Sequence, residues 1–237
     1  MSMYRYSNLY EAKDEIADTD TVLKSFEIQP TLNPAIWNPD NTLKEDVRID
    51  LLQISSDFYD SLKIKTDVLD IILTGSSANF TWGVFSDLDC HVVISYKDVD
   101  ENLELVTEYF SAKKELWNSK YDVEIHNLPV EMYVQDVSDN LVAAGVYSLI
   151  QNAWIKEPDH IEFSVDMPEV KKKAISMMKE IDSAINSDSL DSVNKFKKKL
   201  KQYRQAGLEK SGEQSVENLV FKVLRRNGYL QKISDFK

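Results

Sequence analysis

The stretch GSSANFTWGVFSDLDCHVVI, residues 75–94, decides the fold. It opens on Gly75-Ser76, runs through a polar and aromatic loop, and returns at Ser86-Asp87-Leu88-Asp89 into an apolar, β-branched run. In a strand, residues i and i+2 point to one face, so Asp87 and Asp89 are expected to project together while Leu88 faces a core. Two carboxylates at that spacing suit hard cations, because magnesium prefers oxygen ligands and leaves positions open for water and phosphate oxygens.

The flanks agree with this reading. VLDIILT (68–74) and LDCHVVIS (88–95) are short and rich in β-branched residues, as strands are. Upstream, Leu43, Val47, Leu51, Ile54, Phe58 and Leu62 recur at helical spacing and predict a long amphipathic helix ending near Leu62. Before Thr42, a short helix around Leu9–Leu23 gives way to an irregular stretch broken by Pro30, Pro34 and Pro39. Downstream, Val99, Leu103, Val106, Phe110 and Leu116 predict a helix within 98–118. YDVEIHNLPVEMYVQD then predicts a hairpin, with strands 121–126 and 130–136 around a turn at Asn127–Pro129. Residues 145–158 fit strand or helix equally well.

After Pro168 the pattern becomes helical throughout. One stripe runs Val170, Ala174, Met178, Ile181, Ile185; a second runs Leu190, Val193, Phe196, Leu200, Tyr203. A third, Val216, Leu219, Val220, Val223, Leu224, is expected to end with Gly228 at C′ and to be capped by Ser215. Residues 204–215 read as an interhelix loop. The expected class is α+β: a mixed sheet flanked by helices, followed by a C-terminal helical domain. The expected divisions are an N-terminal segment packing on the core (1–41), a catalytic domain (42–165) and a helical domain (166–237).

A two-cation site of this kind normally takes a third carboxylate from a neighbouring strand. Asp122, Glu124 and Glu131 compete for that role. Glu131 is preferred because it begins an apolar run directly after Pro129, with Glu124 next. The third carboxylate would also help accept a proton from an attacking hydroxyl.

Gly75-Ser76, Trp82-Gly83-Val84, Ser86-Asp87-Leu88-Asp89 and Pro129-Val130-Glu131-Met132 together resemble the DNA polymerase β-like nucleotidyltransferase superfamily. Within it they are similar to the branch of poly(A) and terminal uridylyl polymerases, oligoadenylate synthases and cyclic-nucleotide synthases. The resemblance covers about residues 68–135, and Glu131 stands where most members have Asp. It implies a transfer of a nucleoside monophosphate from a nucleoside triphosphate to a hydroxyl, with release of pyrophosphate. Asp87, Asp89 and Glu131 would hold two Mg2+ ions, with Mn2+ able to substitute. Gly75, Ser76, Ser77 and Ser86 would meet the nucleotide's phosphates, helped by amide groups if the Gly75-Ser76-Ser77 turn opens a short helix. ATP is the default donor; the acceptor stays open among nucleotide, small molecule, RNA end and protein. The alternative is a non-catalytic nucleotide-binding or partner-binding module on the same fold.

Composition narrows the partners. Of 237 residues, 43% are hydrophobic and 29% charged, with a formal net charge of −12. That balance disfavours a long nucleic acid, whose phosphates need a basic surface. No apolar run approaches the ~20 residues of a membrane span, and one cysteine rules out an intrachain disulfide. A cytoplasmic enzyme is the expectation. The densest basic stretch, 195–204, reads first as a helix with a solvated basic face; Lys198, Lys201 and Arg204 are the members assigned to phosphate contact. His91 is expected as a packed histidine on the strand face opposite Asp89, Cys90 as a small core residue, and Arg225-Arg226 as surface charges.

Overall fold

The computed structural model describes residues 5–8, 18–140, 143–160 and 165–236. The chain divides into two units, one of residues 1–12 and 28–161, the other of 13–27 and 162–237.

The first unit carries a mixed seven-stranded sheet in the order β1-β4-β5-β3-β2-β6-β7. The strands are β1 (Arg5–Asn8), β2 (Asp70–Thr74), β3 (Leu88–Ile94), β4 (Tyr121–Ile125), β5 (Leu128–Asp136), β6 (Val146–Ser148) and β7 (Ala153–Lys156). β3 and β5 are parallel, with Asp89 opposite Glu131 and His91 opposite Tyr133. β2 runs antiparallel to β3, with Thr74 opposite Asp89. The expected α+β class with a mixed sheet is observed.

Alternation along β3 sorts its side chains. Leu88, Cys90, Val92 and Ile94 are fully buried in the main core. Against them packs the apolar stripe of α2 (Glu45–Leu62), where Leu51, Ile54, Phe58 and Leu62 are also fully buried. Burying side chains of this kind contributes about 1.5–3 kcal/mol each, which is why the 3.6-residue stripe of α2 was readable. Helix α3 (Leu103–Lys120) buries Val106, Phe110 and Trp117 and runs beside β5. Asn118 donates to Met132 O at 3.2 Å and accepts from Met132 N at 3.0 Å.

One local reading is corrected and one open alternative is settled. The β4–β5 turn is His126–Asn127, both left-handed (φ 51° and 63°), the geometry of a two-residue hairpin. Pro129 therefore lies inside β5, ahead of the β3 pairing that starts at Val130. Residues 145–158 form the β6–β7 hairpin, because Tyr147 packs edge-on to Trp37 and Trp154 stacks on Trp37 at 4.7 Å. Those ring contacts are long-range in sequence, so periodicity could not reveal them.

The second unit is helical: α1 (Thr19–Lys24), α4 (Met167–Asn186), α5 (Leu190–Ser211), α6 (Val216–Arg226) and α7 (Tyr229–Ser234). Its interior is built from Val170, Ala174, Ile181, Val193, Leu200, Leu219, Val220, Val223 and Leu224, all 4% exposed or less. The three C-terminal stripes are thus all helices, and Gly228 follows the α6 cap residue with φ 74°. Helix α5, however, continues through the residues expected as a loop and stops at Ser211. Gly207 lies inside it, where a Cβ would come within 2.4 Å of Glu217 Cβ, so the glycine serves close packing of α5 on α6.

The division also differs from the expected one near the N-terminus. Residues 18–27 cluster with the helical unit: Val22 is fully buried, Lys171 pairs with Asp20, and Arg226 donates to Ser25 Oγ at 2.7 Å with its guanidinium 5.2 Å from the Phe26 ring. Arg226 is therefore tied into the α1–α6 contact. Of the helix expected at Leu9–Leu23, residues 9–17 lie outside the described residues; its described part begins at Thr19. Among the described residues no helix is long and apolar enough to cross a membrane.

Ser215 caps α6 as expected, its hydroxyl accepting from Asn218 N at 3.2 Å while buried. Ser215→Ala is expected to cost about 1 kcal/mol in urea unfolding; a loss under ~0.3 kcal/mol would show that the cap carries no weight.

Candidate active site

β2 delivers the chain to Gly75, which has φ 76° and ψ −159°, a conformation essentially reserved for glycine. A Cβ built there would stand 1.9 Å from Asp89 Oδ2, so the backbone at Gly75 lies directly against the Asp89 carboxylate. A single 3₁₀ turn, Ser76–Ala78, follows. The short helix expected there is only this turn, too short for a helix dipole to act.

Hydroxyls stitch the loop closed. Ser76 Oγ and Ser86 Oγ are 2.8 Å apart, and Ser86 Oγ accepts from Gly83 N at 2.9 Å. Ser77 Oγ donates to Asp87 O at 2.5 Å, and Trp37 Nε1 donates to Ser77 O at 2.8 Å. Ser77 is fully buried and Ser86 4% exposed. Both hydroxyls take part in holding the loop that leads into Asp87. Ser76 is half-buried and stays at the surface of the turn.

Asp87, Asp89 and Glu131 come together. Each is half-buried, and one carboxylate oxygen from each lies within 4.8 Å of the others, an arrangement able to hold a metal ion. Asp89 and Glu131 meet because β3 and β5 pair in register at those positions. Asp122 and Glu124 sit one strand further out, on β4, and the cluster includes neither. The donors are all carboxylate oxygens, the set suited to a hard divalent cation such as magnesium or manganese. Negative charge gathered this closely is mutually repulsive, and a cation would offset it. Such a cluster is costly to the fold and favours cation binding.

His91 lies on the same face as Asp89, which corrects the expectation of the opposite face: positions 89 and 91 are two apart, one full period of a strand. Its ring stacks on Tyr133 with centroids 4.6 Å apart. Burial lowers its pKa to about 4, assisted by the charge of Lys114, so the imidazole is neutral. Burial, with the charges of Asp89, Glu131 and Asp87 adding to it, pushes the Tyr133 phenol upward.

Cys90 occupies the buried face as expected. Burial raises its thiol to about 12, opposed by a contact with Ser55 Oγ. An ordinary thiol titrates near 8.5, so Cys90 should resist a disulfide reagent at mildly alkaline pH and react fully once urea unfolds the chain. Rapid reaction of the native protein would contradict this placement.

Lys198, Lys201 and Arg204 belong to the second unit, exposed on α5. Lys201 and Arg204 line a cavity of about 400 Å³ there with Leu200, Leu208 and Phe221. Arg204 Nε donates to Asn218 Oδ1 at 3.1 Å and its guanidinium lies 4.4 Å from the Phe221 ring.

No protein-family model matches the chain, and no curated protein matches it. Among solved structures it is similar to a STING-associated CdnE c-di-GMP synthase from Capnocytophaga granulosa. Identity is 14%, over 81% of this chain and 84% of that one, with a TM-score of 0.21. A likeness that loose carries no argument about this chain's activity.

Proposed function

We propose that the chain is a metal-dependent nucleotidyltransferase moving a nucleoside monophosphate from a nucleoside triphosphate to a hydroxyl acceptor. One observation carries the reading: Asp87 and Asp89, from the motif that resembles the polymerase β-like superfamily, meet Glu131 of the adjacent parallel strand beside the Gly75-Ser76 turn.

Two magnesium ions, with manganese able to replace them, would supply charge stabilisation to the attacking and leaving oxygens. Asp87 and Asp89 would hold and orient the cations. Glu131 would complete the ligand set and help accept the proton of the acceptor hydroxyl. Ser76 and the backbone at Gly75 meet the phosphates, while Ser77 and Ser86 keep the loop in shape. Lys198, Lys201 and Arg204, on α5 of the helical unit, are the cations assigned to phosphate contact in this reading. ATP is the first donor to try, and nucleotide, small-molecule, RNA-end and protein acceptors are all compatible with the site.

The test is incubation with each labelled nucleoside triphosphate and magnesium or manganese, with products resolved by mass. Metal-dependent pyrophosphate release, together with a product heavier by one nucleoside monophosphate, is the expected result. Tight triphosphate binding without turnover would make the chain a nucleotide-binding module; no binding would overturn the reading.

A further inference from the structure

Glu131 has one more rotatable bond than Asp87 or Asp89, so as a ligand it has more freedom to lose on binding a cation. A neighbour removes that freedom. Tyr133, two residues along β5 and on the same face, donates its phenol hydrogen to Glu131 Oε2 at 2.5 Å. The Tyr133 ring is held in turn: it stacks on His91 at 4.6 Å with planes 17° apart, and Lys114 Nζ lies 4.2 Å from its centroid. The β3–β5 register sets Asp89 and Glu131 in one row and His91 and Tyr133 in the next. One row supplies ligand atoms and the other braces them.

We propose that Tyr133 is a positioning residue for the third carboxylate: its hydrogen bond to Oε2 fixes the Glu131 side chain in the orientation that brings a carboxylate oxygen to Asp87 and Asp89. This rests on the triad being a metal site. Hydrogen-bonded outer partners of metal ligands are worth ~10–100-fold in metal affinity, and the same range applies here.

The experiment is a Mn2+ titration of the full chain, with free Mn2+ read by electron paramagnetic resonance, so no catalytic turnover is needed. Wild type should bind; Tyr133→Phe, with unchanged circular dichroism, should bind ~10–100-fold more weakly. Glu131→Asp, which keeps a carboxylate but draws it back from the phenol, should weaken binding similarly. Adding Tyr133→Phe to Glu131→Asp should cost nothing further, because the interaction is already gone. A purely structural tyrosine would give additive losses. Equal Mn2+ affinity in wild type and Tyr133→Phe overturns the proposal, as do additive losses in the double variant. If Tyr133→Phe fails to fold, Glu131→Asp decides alone: binding as tight as wild type overturns the proposal. Absence of Mn2+ binding by wild type is a different failure, that of the metal site itself.

Discussion

Asp89→Ala should abolish metal-dependent pyrophosphate release, by on the order of 10³-fold or more in kcat, and Asp87→Ala should do the same. The size follows from what the carboxylates hold: cation stabilisation of the transition-state charge is worth several kcal/mol, and each 1.36 kcal/mol is tenfold in rate. The variants should nonetheless be as stable as wild type within ~1 kcal/mol, or more stable. Removing one of three carboxylates whose oxygens lie within 4.8 Å of one another relieves repulsion, as is usual where function is stored at a cost to the fold. Activity lost with stability kept marks a functional cluster; a large fall in urea midpoint alongside the activity would make these acids structural. Glu131→Gln should behave as Asp89→Ala does, and Glu124→Gln should keep activity. The reverse pattern would assign the third ligand to β4.

Gly75→Ala carries the largest expected effect on the fold near the site. At φ 76° and ψ −159° an alanine is strained, which costs of order 1–3 kcal/mol. The new methyl would also stand 1.9 Å from Asp89 Oδ2 and 2.9 Å from its Cγ. Either the carboxylate swings away, disassembling the triad, or the turn moves and unpicks the hydroxyl stitching at Ser76, Ser77 and Ser86. A loss of about 2–4 kcal/mol in urea unfolding is expected, with kcat falling toward the level of Asp89→Ala. In an Asp89→Ala background the clash with Oδ2 and Cγ disappears, leaving the backbone strain and the 3.3 Å approach to the residue-89 Cβ, so Gly75→Ala should cost measurably less stability there. Equal cost in both backgrounds would show that the two residues do not touch.

Much of this was legible because it is local. Helix α2 and the three C-terminal helices announce themselves through stripes of period 3.6, and the motif places Asp87 and Asp89 on the start of a strand. The errors are equally physical. Gly207 suggested a loop because an isolated helix disfavours glycine, yet α5 uses it to approach Glu217. Residues 145–158 were ambiguous because Tyr147 and Trp154 are oriented by Trp37, more than a hundred positions earlier in the chain. Segment 13–27 gave no sign that Phe26 and Ser25 would be held by Arg226.

The candidate site divides along the same line. From sequence alone came two carboxylates on one strand face, a glycine-serine turn before them, and a preference among three acids for the third. The parallel register of β3 against β5 made Glu131 the partner of Asp89, and the same pairing set Tyr133 over His91 to brace it. Ser77 and Ser86 are buried and hydrogen-bonded within the loop, a placement that depends on long-range packing. Residue spacing specifies which side chains share a face of one strand; which strand lies beside it, in what register, and which hydroxyls are consumed in closing the loop are settled by long-range packing, where many contacts compete at once.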